Sequence, residues 1–517
     1  MNRLNPEETL SSLSLNLVAA AQSHPHRNAL RGEGAALTYA EFDAAAARVA
    51  TFLDRNGIRP GDRVGIMLPN SPAFAVLFYG VMRQGAIAVP MNPLLKAGEV
   101  EFYLANTGAK ALFGVPAFAE AAVDGAAAAG AQPWLVDDLI LAQLIADLPE
   151  QAMPVPRADD DTAVVLHTSG TTGTPKGAEL THGGLRRNAD VTVRTLMEIG
   201  PDDVVMGCLP LFHVFGLTCG LNAAVAAGAS LSLVPRFDPH AVIRVIQRDG
   251  VTVFQGVPTM YSGLLAAAQD FPTATTSLLP TLRTCASGGA ALPTQVLTDF
   301  ERTFGCTILE GYGLSETSPV ACFNHPDRDR KTGSIGIPVE GVEMRVVDAG
   351  GREVAPGEPG EVQVRGHNVM KGYWNLPDAT AAAISPDGWF STGDIGRADA
   401  DGYFYIVDRL KQMIIRGGLN VYPREVEEVL YAHPAVAEAA VIGIPHHTLG
   451  EEIGAAVALK EGQHTDAAEL REFVKQRLAA YKYPRRVWFL DALPKGPTGK
   501  ILRREIKVPT TEMVIGS

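Results

Sequence analysis

The chain is expected to fold as a large N-terminal α/β domain, built of parallel-sheet layers with helices, followed by a small α+β C-terminal domain. Three observations carry this. At 517 residues it exceeds the size at which one hydrophobic core stops growing. Short apolar runs at Arg63–Leu68 and Ile87–Pro90 flank a helix-like segment, Phe74–Gln84, and the order strand, helix, strand suggests a parallel sheet. Beyond Asp408 the pattern changes to strand-like runs at Ala435–Pro445, Ile453–Leu459 and Arg486–Leu490, with an amphipathic stretch at Asp466–Tyr481. The division is placed after Asp408, giving domains 1–408 and 409–517.

Composition narrows the function classes. With 46% hydrophobic and 20% charged residues the chain reads as globular rather than disordered. A net charge of −13 argues against broad nucleic-acid affinity, which needs clustered cations to displace counterions. Cys208, Cys219, Cys285, Cys306 and Cys322 form no CxxC pair and are odd in number, so reduced, buried thiols and a cytoplasmic enzyme are expected. Glu7 and Glu8 interrupt the only stretch placed to be a secretory signal, and no run of about 18 apolar residues offers a membrane span.

In chain order, Thr38 with Glu41 three residues later marks the start of an amphipathic helix over Leu37–Gly57. Ala117–Ala131 reads as a weak surface helix and loop. After the apolar run Ala163–Leu166 comes Thr168-Ser169-Gly170-Thr171-Thr172-Gly173-Thr174-Pro175-Lys176-Gly177. Small residues, hydroxyls and a lysine can wrap phosphate, since backbone N–H groups approach an anion closely there. It is not a Walker A loop, because Pro175 precedes the lysine and Gly177 follows it. A flexible linker shares this composition.

His213 lies in Leu209-Pro210-Leu211-Phe212-His213-Val214-Phe215-Gly216, where a lone histidine among apolar groups is usually structural. Leu217–Ala229 has the small and apolar mix of a helix lining a slot, or of ordinary core. Val251–Phe254 reads as a buried strand, and such strand ends carry sites in open α/β folds. In Ser287-Gly288-Gly289-Ala290 the missing side chains let a flat ligand lie against backbone, and a tight turn explains them equally well. Glu310-Gly311-Tyr312-Gly313-Leu314-Ser315-Glu316-Thr317 joins glycines to an acid, and Ser391-Thr392-Gly393-Asp394 ends in a carboxylate able to accept two hydrogen bonds. Tyr403–Val407 is strand-like. Arg416–Pro423 is a glycine loop or β-turn before a helix at Pro423–Tyr431. His446-His447 invites a metal reading but has no third ligand at suitable spacing. Pro494-Lys495-Gly496-Pro497-Thr498-Gly499-Lys500 holds a lysine outward on an open loop, as a solvated basic tail also would.

Together the stretch at Thr168–Gly177, the Tyr-Gly-x-Ser-Glu run, Thr-Gly-Asp and the terminal Gly-Lys resemble the adenylate-forming superfamily of acyl-CoA synthetases, luciferases and peptide-synthetase adenylation domains. The resemblance implies that Thr168, Ser169, Gly170, Thr171, Thr172, Gly173 and Lys176 hold the phosphates of ATP. It implies that Tyr312, between Gly311 and Gly313, stacks on adenine, and that Glu316 carries Mg2+. Ser315 replaces the usual threonine and keeps its hydroxyl. Asp394 is expected on the ribose hydroxyls, with Arg409 as a second ribose or phosphate contact. His213 and Phe215 fall at the entrance of an acyl pocket whose floor, shared with adenine, is Ser287, Gly288 and Gly289.

In the small domain, Lys411 resembles the family's hinge, which makes that domain mobile, and Gly417 and Gly418 would line the path of the pantetheine arm of CoA. Lys500 would bridge carboxylate and α-phosphate during adenylation, so Lys500, Glu316 and Lys176 are the expected catalytic residues. The implied activity is an AMP-forming acyl-CoA synthetase taking ATP, CoA and a small carboxylic acid. A medium- or long-chain fatty acid leads; an aryl or dicarboxylic acid, or a carrier-protein thiol as acceptor, is the alternative. No carrier segment follows Lys500, which favours a free-standing ligase. A nucleotide sensor without catalysis is disfavoured by the presence of Lys176, Glu316, Asp394, Arg409 and Lys500. Nothing in the sequence sets an oligomeric state.

Overall fold

A computed structural model of the chain describes residues 12–34, 36–168, 175–271, 278–409, 412–417, 419–497 and 499–509. The helix expected after Thr38 forms over Tyr39–Arg55. Thr38 Oγ1 accepts from Glu41 N at 3.3 Å, while the Glu41 carboxylate accepts from Thr38 N at 2.8 Å, so each end of the box satisfies the other's orphan donor. Phe42, Ala46, Val49 and Leu53 give it one buried stripe.

The first strand pairs confirm the parallel expectation. Arg63–Met67 lies between Ile87–Pro90 and Ala111–Gly114, parallel to both, in a seven-stranded sheet that continues to Thr162–Thr168. There the direction reverses. Lys176–Thr181 returns antiparallel to Thr162–Thr168 and sets Lys176 opposite Thr168. Gly372–Tyr373 completes this edge, Tyr373 opposite Ala178. A nine-stranded sheet contains the parallel strands Val253–Gly256, Thr284–Ser287 and Thr307–Gly313, with Gly256, Ser287 and Glu310 in register.

A four-stranded antiparallel sheet, Val342–Val347, Gly360–Gly366, Phe390–Ala398 and Phe404–Arg409, is where sequence patterning was weakest. Its inner strands mix glycine, threonine and charged residues on a half-exposed surface, so only the stretch around Tyr403–Val407 reads as strand from sequence. The expected division after Asp408 falls one residue inside the last of these strands.

The small domain's own sheet begins at Ile414. Its strands Val436–His446 and Gly450–Leu459 form a long hairpin, and Arg486–Phe489 joins parallel to the second. Val426 and Leu430 of the helix Pro423–Tyr431 pack with Leu470 and Val474 over Val441, Ala455 and Val457. The helix expected over Asp466–Tyr481 is shorter, Ala467–Lys475, capped by the Asp466 carboxylate on Glu469 N. Leu478 and Tyr481 still meet the core, but from a turn.

The surface helix expected in the Ala/Gly stretch is present, with one face packed, and the reading of Leu217–Ala229 is corrected. The Ala/Gly stretch holds a packed helix, Ala119–Ala129: a Cβ placed on Gly125 would stand 2.6 Å from Val100 Cβ, so the small residues let it press against the helix Ala97–Thr107. The slot-lining helix at Leu217–Ala229 begins instead as a π-helical turn, Phe215–Asn222, before a short α-helix, Ala223–Ala227. Such turns are often found at functional sites. Among the described residues no helix is long and apolar enough to cross a membrane.

Candidate active site

The C-terminal ends of Val253–Gly256, Thr284–Ser287 and Thr307–Gly313 open into one cleft, as the rule for open α/β sheets requires. It encloses about 1430 Å3 including its mouth. Ser287, Gly289, Gly311, Tyr312, Gly313 and Asp394 line it from the large domain, and Glu438, Lys500, Ile501 and Arg503 from the small one.

At one end Tyr312 Oη donates to Asp394 Oδ2 at 2.5 Å, and the Asp394 backbone N–H donates to Thr392 Oγ1 at 3.1 Å. Asp394 stands opposite Arg409 in the strand ladder. The hydroxyl of Ser287 is buried in the cleft wall and has no protein partner among the described residues. A buried hydroxyl of this kind costs free energy unless a ligand or water meets it.

Two residues beyond Gly313, Ser315–Thr317 form a single 3₁₀ turn that carries Ser315 and Glu316. Thr317 Oγ1 accepts from Leu314 N at 2.8 Å, and the Glu316 carbonyl accepts from Met370 N at 2.8 Å, which fixes the turn. Glu316 Oε1 accepts from Tyr373 Oη at 3.0 Å, and Lys176 Nζ sits 5.1 Å from the centre of the same ring. The structure thus brings Lys176 and Glu316 around a tyrosine that sequence reasoning missed. Thr168 Oγ1 reaches the Lys176 carbonyl at 3.5 Å. Ser169, Gly170, Thr171, Thr172 and Gly173 lie outside the described residues.

Towards the π-helical turn, His213 Nδ1 accepts from Phe215 N at 3.3 Å. Burial pulls this imidazole down to about 4, and the charge of Lys500 pushes the same way, so His213 is neutral at pH 7. Phe215 faces Gly288: a Cβ on Gly288 would lie 3.2 Å from Phe215 Cε1. His213, Phe215 and Gly288 therefore stand together, with Ser287 and Gly289 beside them on the cleft wall.

Lys500 is delivered by a pinned loop. Gly496 N donates to the Lys500 carbonyl at 2.8 Å, and Thr259 Oγ1 of the large domain donates to the Gly499 carbonyl at 2.9 Å. Arg503 binds both carboxylate oxygens of Glu427 and also Gln412 Oε1. Gly417 is placed differently. Its N–H donates to the Leu449 carbonyl at 2.8 Å at the end of the long hairpin, and it is not among the cleft-lining residues. Lys411 and Gly418 lie outside the described residues. The rings of His446 and His447 stack at 4.8 Å, and His446 Nδ1 accepts from the backbone N–H groups of Thr448 and Leu449, which is a turn-stabilising role.

A buried acid also escaped sequence reasoning. Glu310 sits in the cleft wall, and burial raises its carboxyl to about 7, with Arg424 of the small domain pulling it down. Arg424 in turn donates its N–H to Asp408 Oδ2 at 3.2 Å and its guanidinium to the Ile406 carbonyl. No local motif marks such an influence, because the two groups lie in different domains.

Known proteins resemble the chain along most of its length. Residues 17–374 match the sequence model of a family described as AMP-binding enzyme, and residues 425–500 match that of the AMP-binding enzyme C-terminal domain. A Bacillus subtilis (strain 168) protein named long-chain-fatty-acid–CoA ligase is 36% identical, over 98% of this chain and 95% of the relative. A feruloyl-CoA synthase of Amycolatopsis sp. is 39% identical, over 95% and 97%. Among solved structures, ATP-bound MatB from Rhodopseudomonas palustris superposes with a TM-score of 0.89 at 34% identity, over 95% of this chain and 97% of that one.

Proposed function

The chain belongs to the AMP-binding enzyme family, and from that premise we propose that it is an ATP-dependent acyl-CoA synthetase working through an acyl-adenylate. The observation that carries the reading is the meeting of Lys500 with Tyr312 and Asp394 in one cleft between the domains.

In the first half-reaction a carboxylate oxygen attacks the α-phosphorus of ATP, forming the acyl–phosphate bond as pyrophosphate leaves. In the second, the CoA sulfur attacks the acyl carbon, AMP leaves, and the thiol proton passes to solvent. Asp394 accepts the ribose hydroxyls, Tyr312 lies against the base, and Arg409 provides a further contact. Lys500 offsets the two anions that must approach each other in the first step, a task suited to a compact ammonium. Lys176 and the hydroxyls from Thr168 onward receive the β- and γ-phosphates.

The donor set at Glu316 suits magnesium, which keeps several waters and takes one or two carboxylates along with substrate phosphates. No group of three or more His, Cys, Asp or Glu side chains offers an all-protein cage among the described residues. Bound there, the ion would draw charge from the phosphates.

For the CoA step the small domain must present another surface. Lys411 is the proposed pivot, and Gly417 and Gly418 the proposed pantetheine path. The five cysteines are free and buried, which suits a reducing compartment such as the cytoplasm.

The proposed acid is a medium- or long-chain fatty acid, in keeping with the name of the Bacillus relative. A second reading, an aryl acid, is in keeping with the Phe215 ring packed close to Gly288 and with the name of the feruloyl-CoA synthase relative. A screen of AMP release with fatty, aryl and dicarboxylic acids, each with and without CoA, tests both. AMP release requiring both an acid and CoA supports the ligase. Turnover with no acid of the three classes would refute it.

A further inference from the structure

Tyr373 is reached by no motif, yet it touches both phosphate-end residues. The strand Gly372–Tyr373 is held at the sheet edge beside Lys176–Thr181, with Trp374 N donating to the Gly177 carbonyl at 2.7 Å and Lys371 N to Glu179 O at 2.9 Å. Tyr373 N donates to Thr380 Oγ1 at 2.9 Å, so the backbone is tied on both sides. From this anchorage the ring carries Lys176 Nζ at 5.1 Å, and the hydroxyl donates to Glu316 Oε1 at 3.0 Å.

We propose that Tyr373 is a positioning residue that sets the Glu316 carboxylate and the Lys176 ammonium for a metal-bound triphosphate. The inference rests on the reading of Glu316 as the metal contact. A carboxylate held by an O–H donor presents its other lone pairs in a fixed direction, which a small hard cation needs. The cation–π contact gives the flexible lysine side chain one resting place near the phosphates instead of many.

The test uses Mn2+ as the probe, its binding to the full-length protein with ATP followed by electron paramagnetic resonance. AMP binding without metal, by calorimetry, is the companion reading. Tyr373→Phe keeps the ring and removes one hydrogen bond to a charged group, so Mn2+ should bind about tenfold more weakly. AMP affinity should stay within about twofold. Glu316→Gln should lose at least as much Mn2+ affinity, and the double variant should lose less than the product of the two. Normal Mn2+ affinity in Tyr373→Phe beside a loss in Glu316→Gln would overturn the positioning role and leave the metal reading standing. Normal affinity in both would remove the metal reading itself. Should Tyr373→Phe not fold, the wild-type tyrosine difference spectrum decides: metal with ATP should perturb it, and Glu316→Gln should abolish the change. No perturbation in the wild type would equally overturn the role.

Discussion

Tyr312 and Asp394 are joined by a 2.5 Å hydrogen bond from phenol to carboxylate, although 82 positions separate them in the chain. The bond ties the end of the nine-stranded sheet to the four-stranded one, and it orients the carboxylate proposed to receive ribose. The Tyr312→Phe variant should therefore bind AMP about five- to tenfold more weakly, as the loss of one hydrogen bond to a charged group implies. Calorimetric titration with AMP measures this. An unchanged affinity would leave Tyr312 with its ring alone as the contributing part.

Gly288 faces Phe215 at a distance that a methyl group fills, with 3.2 Å between its Cβ position and Cε1. Gly288→Ala should crowd the proposed acyl pocket and lower kcat/KM for bulky acids about tenfold, a loss of about 1.4 kcal/mol, while sparing short ones. Adding Phe215→Ala should recover much of that loss. Equal losses for acetate and for long or aryl acids would place the acyl group elsewhere.

Thr259 donates across the domain boundary to the Gly499 carbonyl, one residue before Lys500. Gly499 has φ +78°, and a Cβ there would stand 2.9 Å from Thr259 Oγ1 and 3.0 Å from Val257 Cγ2. Gly499→Ala is thus both strained and crowded. It should slow pyrophosphate exchange about tenfold or more, and thioester formation from supplied acyl-adenylate much less. Equal slowing of both would mean that this contact does not serve the adenylating orientation.

Glu310 gives a pH dependence whose sign is fixed by burial. Its carboxyl is raised from 4.5 to about 7, so unfolded chains ionise this group earlier than folded ones. Its destabilising contribution is absent below about pH 4.5, grows as pH rises through the interval, and is complete above about pH 7. Arg424, Glu428, Arg330 and Tyr261 and the backbone N–H groups of Gly333 and Leu292 are the charged, titratable or hydrogen-bonding groups that act on it or respond to it. Glu310→Gln should raise the melting temperature by a few degrees at pH 8 and hardly at all at pH 5, for a cost on the order of 3 kcal/mol at most. A gain of the same size at both pH values would contradict the assignment.

What was legible in the sequence was local. The Thr38–Glu41 box and the apolar runs around Arg63–Met67 are decided by neighbours a few residues apart, and both formed as read. The glycine-bearing stretches around Tyr312, Asp394 and Lys500 were also visible, because glycines and polar residues interrupt hydrophobic patterns there, although Tyr312 and Asp394 themselves lie in strands. Tyr373 was not, since its link to Glu316 spans 57 positions and depends on an edge strand pairing with Lys176–Thr181. Nor was the electrostatic pull of Arg424 on Glu310, which acts only once the small domain docks. The π-helical turn at Phe215–Asn222 overlaps the stretch Leu217–Ala229, whose small and apolar composition suits a helix or ordinary core alike and carries no signal for the wider turn.

The central claim is that Lys500, docked in the cleft beside Tyr312 and Asp394, serves adenylation. Its most direct measurement follows both half-reactions in Lys500→Ala: carboxylate-dependent pyrophosphate exchange into ATP, and thioester formation from pre-formed acyl-adenylate and CoA. The account predicts that exchange falls by about a hundredfold or more, on the scale of losing one preorganised charge-stabilising group, while thioester formation stays within about threefold of the wild type. Loss of both by the same factor in a folded protein, or of neither, would contradict it.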